Sequence, residues 1–191
     1  MPRQLTRAEQ EAQRVLARAK EEFQALEEDW HSYLLDVELL ASLLFNLGVQ
    51  QVPDLRVGGR EYAAFLEASQ GLIVVEANHH EHRRRFSVAH EVGHFVLHYL
   101  PRTGGDTYRC TPSDMERGSE PTGTGAGVTH GRQEWEANLF AAELLMPEQP
   151  VLAMYRVVGG SVSRLAKHFC VSPQAMEIRL KRLPLPFRPK R

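Results

Sequence analysis

The chain has 191 residues, 42% hydrophobic and 25% charged, which fits a soluble globular protein of one domain, or a domain plus appendage, able to bury a core without disulfides or a structural metal. A formal net charge of −1 argues against a dedicated nucleic-acid or anionic-membrane binder and leaves only local patches. Cys110 and Cys170 form no paired motif, so a reduced, cytoplasmic compartment is expected. With no apolar leader and no run near about eighteen apolar residues, neither secretion nor membrane spanning is expected.

Residues 1–35 are read as an N-terminal amphipathic helix. Thr6 and Glu9 have capping-box spacing, and Leu16, Ala19, Phe23, Leu26, Trp30 and Tyr33 recur at alternating threes and fours on one stripe. Packing along the core is expected; a dimer through this helix is the alternative. Residues 36–150 are read as the core of the protein. Asp36 should cap a second helix, "VELLASLLFNL", and Gly48 should stop it. "YAAFLEAS" and "GLIVVEAN" read as a hairpin or two sheet strands around Ser-Gln-Gly. "HHEHRRR" follows as a polar connection, with His79, His80 and His82 in a solvated loop and Arg83 to Arg85 on a polar face where one arginine can orient a carboxylate. Residues 86–99 should be helical and Pro101 should close them.

Residues 101–131 hold seven of the fourteen glycines and read as a mobile loop. "RQEWEANLFAAELLMP" returns to helix from Arg132, ended by Pro147. Residues 151–185 are expected to form a helix-turn-helix-like segment, with Ser172 as N-cap and Pro173 in the first turn of its second helix, and 186–191 a tail. Helix-turn-helix turns commonly carry glycine after the aromatic. Cys170 stands there, which disfavours a positive φ. Without a basic footprint, direct DNA reading by this element is not expected; packing on the core or docking a partner is, with Cys170 as a small buried hydrophobe.

The chemistry concentrates in "RRRFSVAHEVGHFVLH", residues 83–98. A His-Glu-x-x-His arises by chance about once in twenty-five shuffles of such a composition, so the five letters do not decide alone. On a helix, His90 and His94 aim their rings at a common point, and two neutral imidazoles can hold Zn²⁺ at about 2.0–2.1 Å. Glu91, rotated by about 100°, cannot join both histidines as a ligand but can serve as the general base for a water activated by the metal. Gly93 costs about 1 kcal/mol of helix propensity, which points to packing or access. A catalytic zinc needs a third protein ligand and an open position. Leu100 stands where one known arrangement has a histidine, and His98, about 12 Å along the axis from His90, is expected to support the site or lie at the surface.

The helix from Arg132 offers the third ligand. Glu134 and Asn138 lie within about 40° of each other, while Glu136 and Glu143 lie roughly 160° or more away from Glu134. That helix is apolar almost all round, so a carboxylate on it needs a compensating charge, which a metal supplies. Glu134 is the expected ligand, and Asn138 is expected to hydrogen-bond a ligand from outside. The alternative keeps Glu134 solvated near a helix N-terminus, where acids are favoured. Tyr62, Tyr99, Tyr108 and His130 are equal candidates for stabilising an oxyanion.

With "RRRFSVAHEVGHFVLH" followed by "EWEANLFAAELLMP", the sequence resembles the ImmA/IrrE family of metallopeptidases. Weaker matches extend to "DVELLASLLFNLGV" and "RLAKHFCVSPQAMEIRL", so most of residues 36–183 are covered. The resemblance implies zinc held by His90, His94 and Glu134, with Glu91 as base. It also implies site-specific proteolysis of helix-turn-helix repressors that control mobile elements or stress and DNA-damage genes. Some relatives carry a C-terminal sensor-like domain or a fused N-terminal DNA-binding domain. This chain has room for neither, so the repressor is expected to be a separate protein. The forty residues from His94 to Glu134 are long, which bears on the shape of the cleft.

The expectation is therefore an α+β, helix-rich metallopeptidase domain with a small sheet beside the His-Glu-x-x-His helix, followed by the helix-turn-helix-like segment. Its expected activity is zinc-dependent endopeptidase cleavage of a repressor, with Mn²⁺ as another divalent ion to consider. The reading from a different class is a non-catalytic regulatory protein that sequesters a repressor or binds DNA; such a scaffold has no need of Glu91.

Overall fold

Helix α1 (Arg7–Ala25) starts at a complete capping box: Thr6 Oγ1 accepts the Glu9 N–H at 3.3 Å and the Glu9 carboxylate accepts the Thr6 N–H at 2.9 Å. Ala8, Ala12, Val15, Leu16, Ala19 and Phe23 bury one stripe of it. The computed structural model describes residues 3–25, 35–100, 107–110 and 126–185, so Leu26, Trp30 and Tyr33 lie outside the described residues. Helix α2 (Val37–Phe45) is capped by Asp36, whose carboxylate accepts the Glu38 and Leu39 N–H groups at 3.0 Å each. It stops earlier than expected. Asn46, at φ 54°, takes the left-handed cap and sends its N–H to Ala41 and Ser42; asparagine tolerates that conformation. Gly48 is thereby released to begin a strand.

That strand, β1 (Gly48–Val52), was not anticipated. Strands β2 (Arg56–Val57) and β3 (Arg60–Glu61) form a small ribbon around Gly58 and Gly59, whose φ values of 59° and 80° suit a two-residue hairpin turn. Strands β4 (Ala64–Glu67) and β5 (Leu72–Glu76) make the expected antiparallel pair, Ala64 opposite Val75 and Glu67 opposite Leu72. β1 adds to β5 in parallel, and β6 (Thr107–Cys110) adds antiparallel to β4, giving the order β1-β5-β4-β6. A strand thus falls inside the stretch expected to be loop throughout. Residues 111–125 lie outside the described residues. β5 is buried on both faces, with Ile73 and Val75 fully inside and Val74 6% exposed, as a strand covered on both sides should be.

Helix α3 (Glu81–His94) begins within "HHEHRRR": the His80 ring nitrogen accepts the His82 N–H at 3.2 Å, so the polar connection is the cap and first turn of the helix. Its last turn, Phe95–Tyr99, widens to a π-helix in which the Leu100 N–H reaches the Phe95 carbonyl at 2.9 Å, five residues back. Helix α4 (Ala126–Leu145) starts six residues before Arg132. Helix α5 (Glu148–Val157), also not anticipated, follows directly with Pro147 at its cap. Helices α6 (Val162–His168) and α7 (Pro173–Arg182) form the expected pair, and Ser172 Oγ accepts the Ala175 N–H at 3.1 Å. Between them Cys170 adopts φ 51°, contrary to the sequence expectation. Two carbonyl bonds close that turn, from the Cys170 N–H to Lys167 and the Val171 N–H to Ala166, while Phe169 and Val171 anchor it in the core. They hold a conformation that costs a non-glycine residue about 1 kcal/mol. Cys170 itself is only partly buried.

Two contacts position the functional region. α3 and α4 cross so closely at Gly93 that a Cβ there would meet Phe140 Cδ1 at 3.1 Å and the Ala137 carbonyl oxygen at 3.2 Å, so the packing reason for glycine is steric. On its other side α4 packs against α1 and α7 through a buried ionic network. Arg179, 1% exposed, pairs with Glu143, donates from Nε to the Met146 carbonyl at 2.9 Å and lies 3.6 Å from Glu9. Gln13 donates to Glu143 at 3.0 Å, and Arg3 bridges Glu9 at 2.8 Å and Glu148 at 3.0 Å. Burial alone would raise the Glu9 carboxyl, but hydrogen bonds from Thr6 and Arg3 outweigh it and hold the group below the ordinary range. The result is an α+β, helix-rich fold. Among the described residues no helix is long and apolar enough to cross a membrane.

Candidate metal centre

His90 and His94, one turn apart on α3, are both fully buried, and Glu134, 1% exposed, meets them from α4. The two Nε2 atoms are 3.1 Å apart, and each lies 3.2 Å from a different oxygen of the Glu134 carboxylate. Donors about 2.0–2.1 Å from a tetrahedral ion stand about 3.3 Å from one another, so these edges match the spacing that one small divalent cation requires. The donor chemistry, two imidazoles and a carboxylate, suits zinc and also accommodates other divalent ions. His90, His94 and Glu134 can therefore hold a metal, and they are the one such group found among the described residues.

Supporting contacts fix the ring orientations. Asn138 Oδ1 lies 3.0 Å from His90 Nδ1. A carbonyl oxygen can only accept, so Nδ1 carries a proton, and in the neutral ring Nε2 is the nitrogen left to present its lone pair to the shared point. Burial works against ionisation of Glu134, yet the hydrogen bonds and charges of His90 and His94 outweigh it and hold the carboxyl far below the carboxylate range. Burial opposes protonation of both imidazoles. The pull of Glu134 overcomes it at His90 and not at His94. Glu91 is fully buried beside the ligand group, and its charge acts on His90.

The remaining polar residues separate by contact. His98 is 5% exposed, its ring 5.5 Å from that of His94, and its Nε2 sits 3.3 Å from the Gln133 carbonyl oxygen. It is buried rather than at the surface, and no spacing in the sequence signalled the Gln133 contact. His130, half exposed, brings Nδ1 to 3.8 Å from Glu134 Oε1. Tyr99 stacks on Phe95 at 5.2 Å, Tyr62 is partly buried, and the Tyr108 side chain lies outside the described residues. Among the described residues two of the three arginines meet backbone carbonyls instead of a carboxylate: Arg84 donates to the Ala77 and His79 carbonyls at 3.2 and 2.7 Å, and Arg85 to the Leu35 carbonyl at 3.0 Å. His80 and His82 pack edge to face at the cap of α3.

Comparison with solved structures gives a Mycobacterium tuberculosis transcriptional regulator, with a TM-score of 0.62 over 91% of this chain and 13% sequence identity. The chain spans 48% of that protein, about half its length, and the likeness is one of fold. Comparison with curated protein sequences gives no match. Residues 52–181, from the end of β1 to α7, match the Peptidase_M78 family, described as an IrrE N-terminal-like domain. That span contains the whole ligand group together with Glu91 and Asn138, and the chain belongs to the Peptidase_M78 family.

Proposed function

We propose that the chain is a zinc-dependent endopeptidase that cuts a peptide bond in a separate protein, a helix-turn-helix transcriptional repressor. The observation that carries this reading is the triangle of His90 Nε2, His94 Nε2 and the Glu134 carboxylate, with edges of 3.1–3.2 Å and a buried Glu91 beside it. A divalent ion held there supplies a Lewis acid that acidifies water and polarises a peptide carbonyl. Glu91 takes a proton from the attacking water and returns it to the amine nitrogen as the C–N bond breaks. Asn138 keeps His90 in the tautomer that offers Nε2. Among the four residues considered for the carbonyl oxygen, His130 is our choice, supported by its contact with Glu134 and its half-exposed side chain.

In this reading residues 36–150 carry catalysis in the cytoplasm, residues 151–185 are a helical extension packed on that core, and residues 1–35 pack along it instead of dimerising. The burial of the α1 stripe supports the last point. A regulatory setting is supported by the family and by the neighbour's description as a transcriptional regulator. Contact with the repressor, not DNA, is favoured because α7 buries Arg179 and sets Arg182 over the Trp135 ring at 5.7 Å, while Glu177 stays exposed.

The test incubates the zinc-loaded protein with helix-turn-helix repressors encoded beside its gene, followed by intact-mass spectrometry. Wild type should give two fragments, and Glu91→Gln should cut at least a hundredfold more slowly with zinc still bound. Relief of repression by both proteins with no fragment from either would favour the non-catalytic regulator instead.

A further inference from the structure

His98 lies outside the triangle but is buried in the contact between α3 and α4. Its Nε2 faces the carbonyl oxygen of Gln133 at 3.3 Å. Because that oxygen can only accept, Nε2 carries a hydrogen and has no lone pair to give a cation. Gln133 immediately precedes Glu134, so the carbonyl held by His98 belongs to the peptide that enters the third ligand. One turn further along α4, Asn138 is tied to His90 at 3.0 Å. α4 is thus fastened to α3 on both sides of Glu134, before it by His98 and after it by His90.

The widened turn at Phe95–Tyr99 makes the first fastening available. An i→i−5 bond from Leu100 to Phe95 opens the helix where His98 sits, shifting its ring relative to the row that a regular α-helix would continue from His90 and His94. The ring stays against His94 at 5.5 Å and turns its N–H toward α4, with Glu136 Oε2 also 3.8 Å away.

We propose that His98 is a positioning residue for the metal centre: through its N–H to the Gln133 carbonyl it sets the rotation and depth of Glu134 on α4, and so the affinity of the site for its ion. The inference rests on the reading of His90, His94 and Glu134 as ligands. Residues that orient a ligand in this way typically account for about 10–100-fold in metal affinity.

The experiment measures zinc affinity of the full chain by competition with a chromophoric chelator, together with melting of the apo protein. The proteins are wild type, His98→Phe, His98→Gln and, as a control on the ligand set, His90→Ala. Phenylalanine keeps a ring but removes the N–H; glutamine keeps an N–H donor at similar reach. The expected result is zinc binding at least about tenfold weaker for His98→Phe, with His98→Gln within about threefold of wild type. A merely structural His98 would lower the apo melting temperature of His98→Phe and leave its zinc affinity within about twofold of wild type; that result overturns the proposal, as does a His98→Gln protein as impaired as His98→Phe. Failure of the ligand reading looks different: wild type would not bind zinc, or His90→Ala would bind it as well as wild type.

Discussion

Helix α4 carries two buried carboxylates nine residues apart, Glu134 and Glu143, both 1% exposed or less. They face opposite ways and meet different partners. Glu143 is paired with the Arg179 guanidinium and hydrogen-bonded by Gln13, so its charge is answered from within the chain. Glu134 meets two imidazoles, one carrying its proton on the far nitrogen toward Asn138, and neither brings a permanent positive charge. A buried carboxylate answered by an arginine holds a fold together; one answered by imidazole lone pairs leaves the positive charge to be supplied from outside. The first cluster is architecture, fastening α1 and α7 to α4, and the second is the proposed metal centre.

The largest effect that separates the two clusters is expected from Arg179→Met. Removing the guanidinium leaves Glu143 in the interior with Gln13 but without its charged partner, while Glu9 keeps Arg3 and Thr6, and breaking such a buried pair costs about 3–5 kcal/mol. Urea unfolding of the apo protein should show that loss, while zinc affinity under native conditions stays within about twofold of wild type, because additivity holds for sites that share no partner. A large change in zinc affinity would mean that the two faces of α4 are one unit. A smaller effect is expected from Gly93→Ala. The added methyl has only 3.1–3.3 Å to Phe140 and to the Ala137 backbone. Overpacking costs about 1–3 kcal/mol and is offset by about 1 kcal/mol of helix propensity, so a net loss of up to about 2 kcal/mol is expected in the same unfolding measurement. Here the loss should come with weaker zinc binding, since the methyl pushes α3 and α4 apart between the ligands. Unchanged affinity would show that the centre tolerates movement of its two helices.

The same contrast explains what the sequence made legible. His90, His94 and Glu91 are read from spacing on one helix, and Glu134 and Asn138 from a four-residue step on another, because helical periodicity places neighbours without knowledge of the fold. A carboxylate on a nearly all-apolar helix needs a compensating charge, and Glu143 needs one as much as Glu134 does. What hid its role was the partner, since Arg179 lies 36 residues away on α7 and no local pattern links them. His98 was harder, because its contact depends on a π turn and on a backbone carbonyl, neither of which leaves a residue-type signature. In the fold, the β4–β5 pair and the α6–α7 turn followed from local chemistry. β1 escaped because its sequence, Gly-Val-Gln-Gln-Val, carries little apolar signal and becomes a strand by parallel pairing with β5. Cys170 escaped because closure of the α6–α7 turn by two carbonyl bonds and two buried anchors outweighs the local cost of a positive φ.

The most direct measurement is zinc stoichiometry by elemental analysis after reconstitution and desalting, on Glu134→Gln and Glu143→Gln side by side with wild type. One zinc per chain is predicted for wild type and for Glu143→Gln, the latter with a lowered melting temperature. Glu134→Gln should retain little or none while remaining folded, a larger loss than the roughly 10–100-fold that follows removal of a supporting residue. A Glu134→Gln protein that keeps a full zinc complement, or a folded Glu143→Gln protein that loses it, would contradict the division of α4 into an architectural face and a metal-binding one.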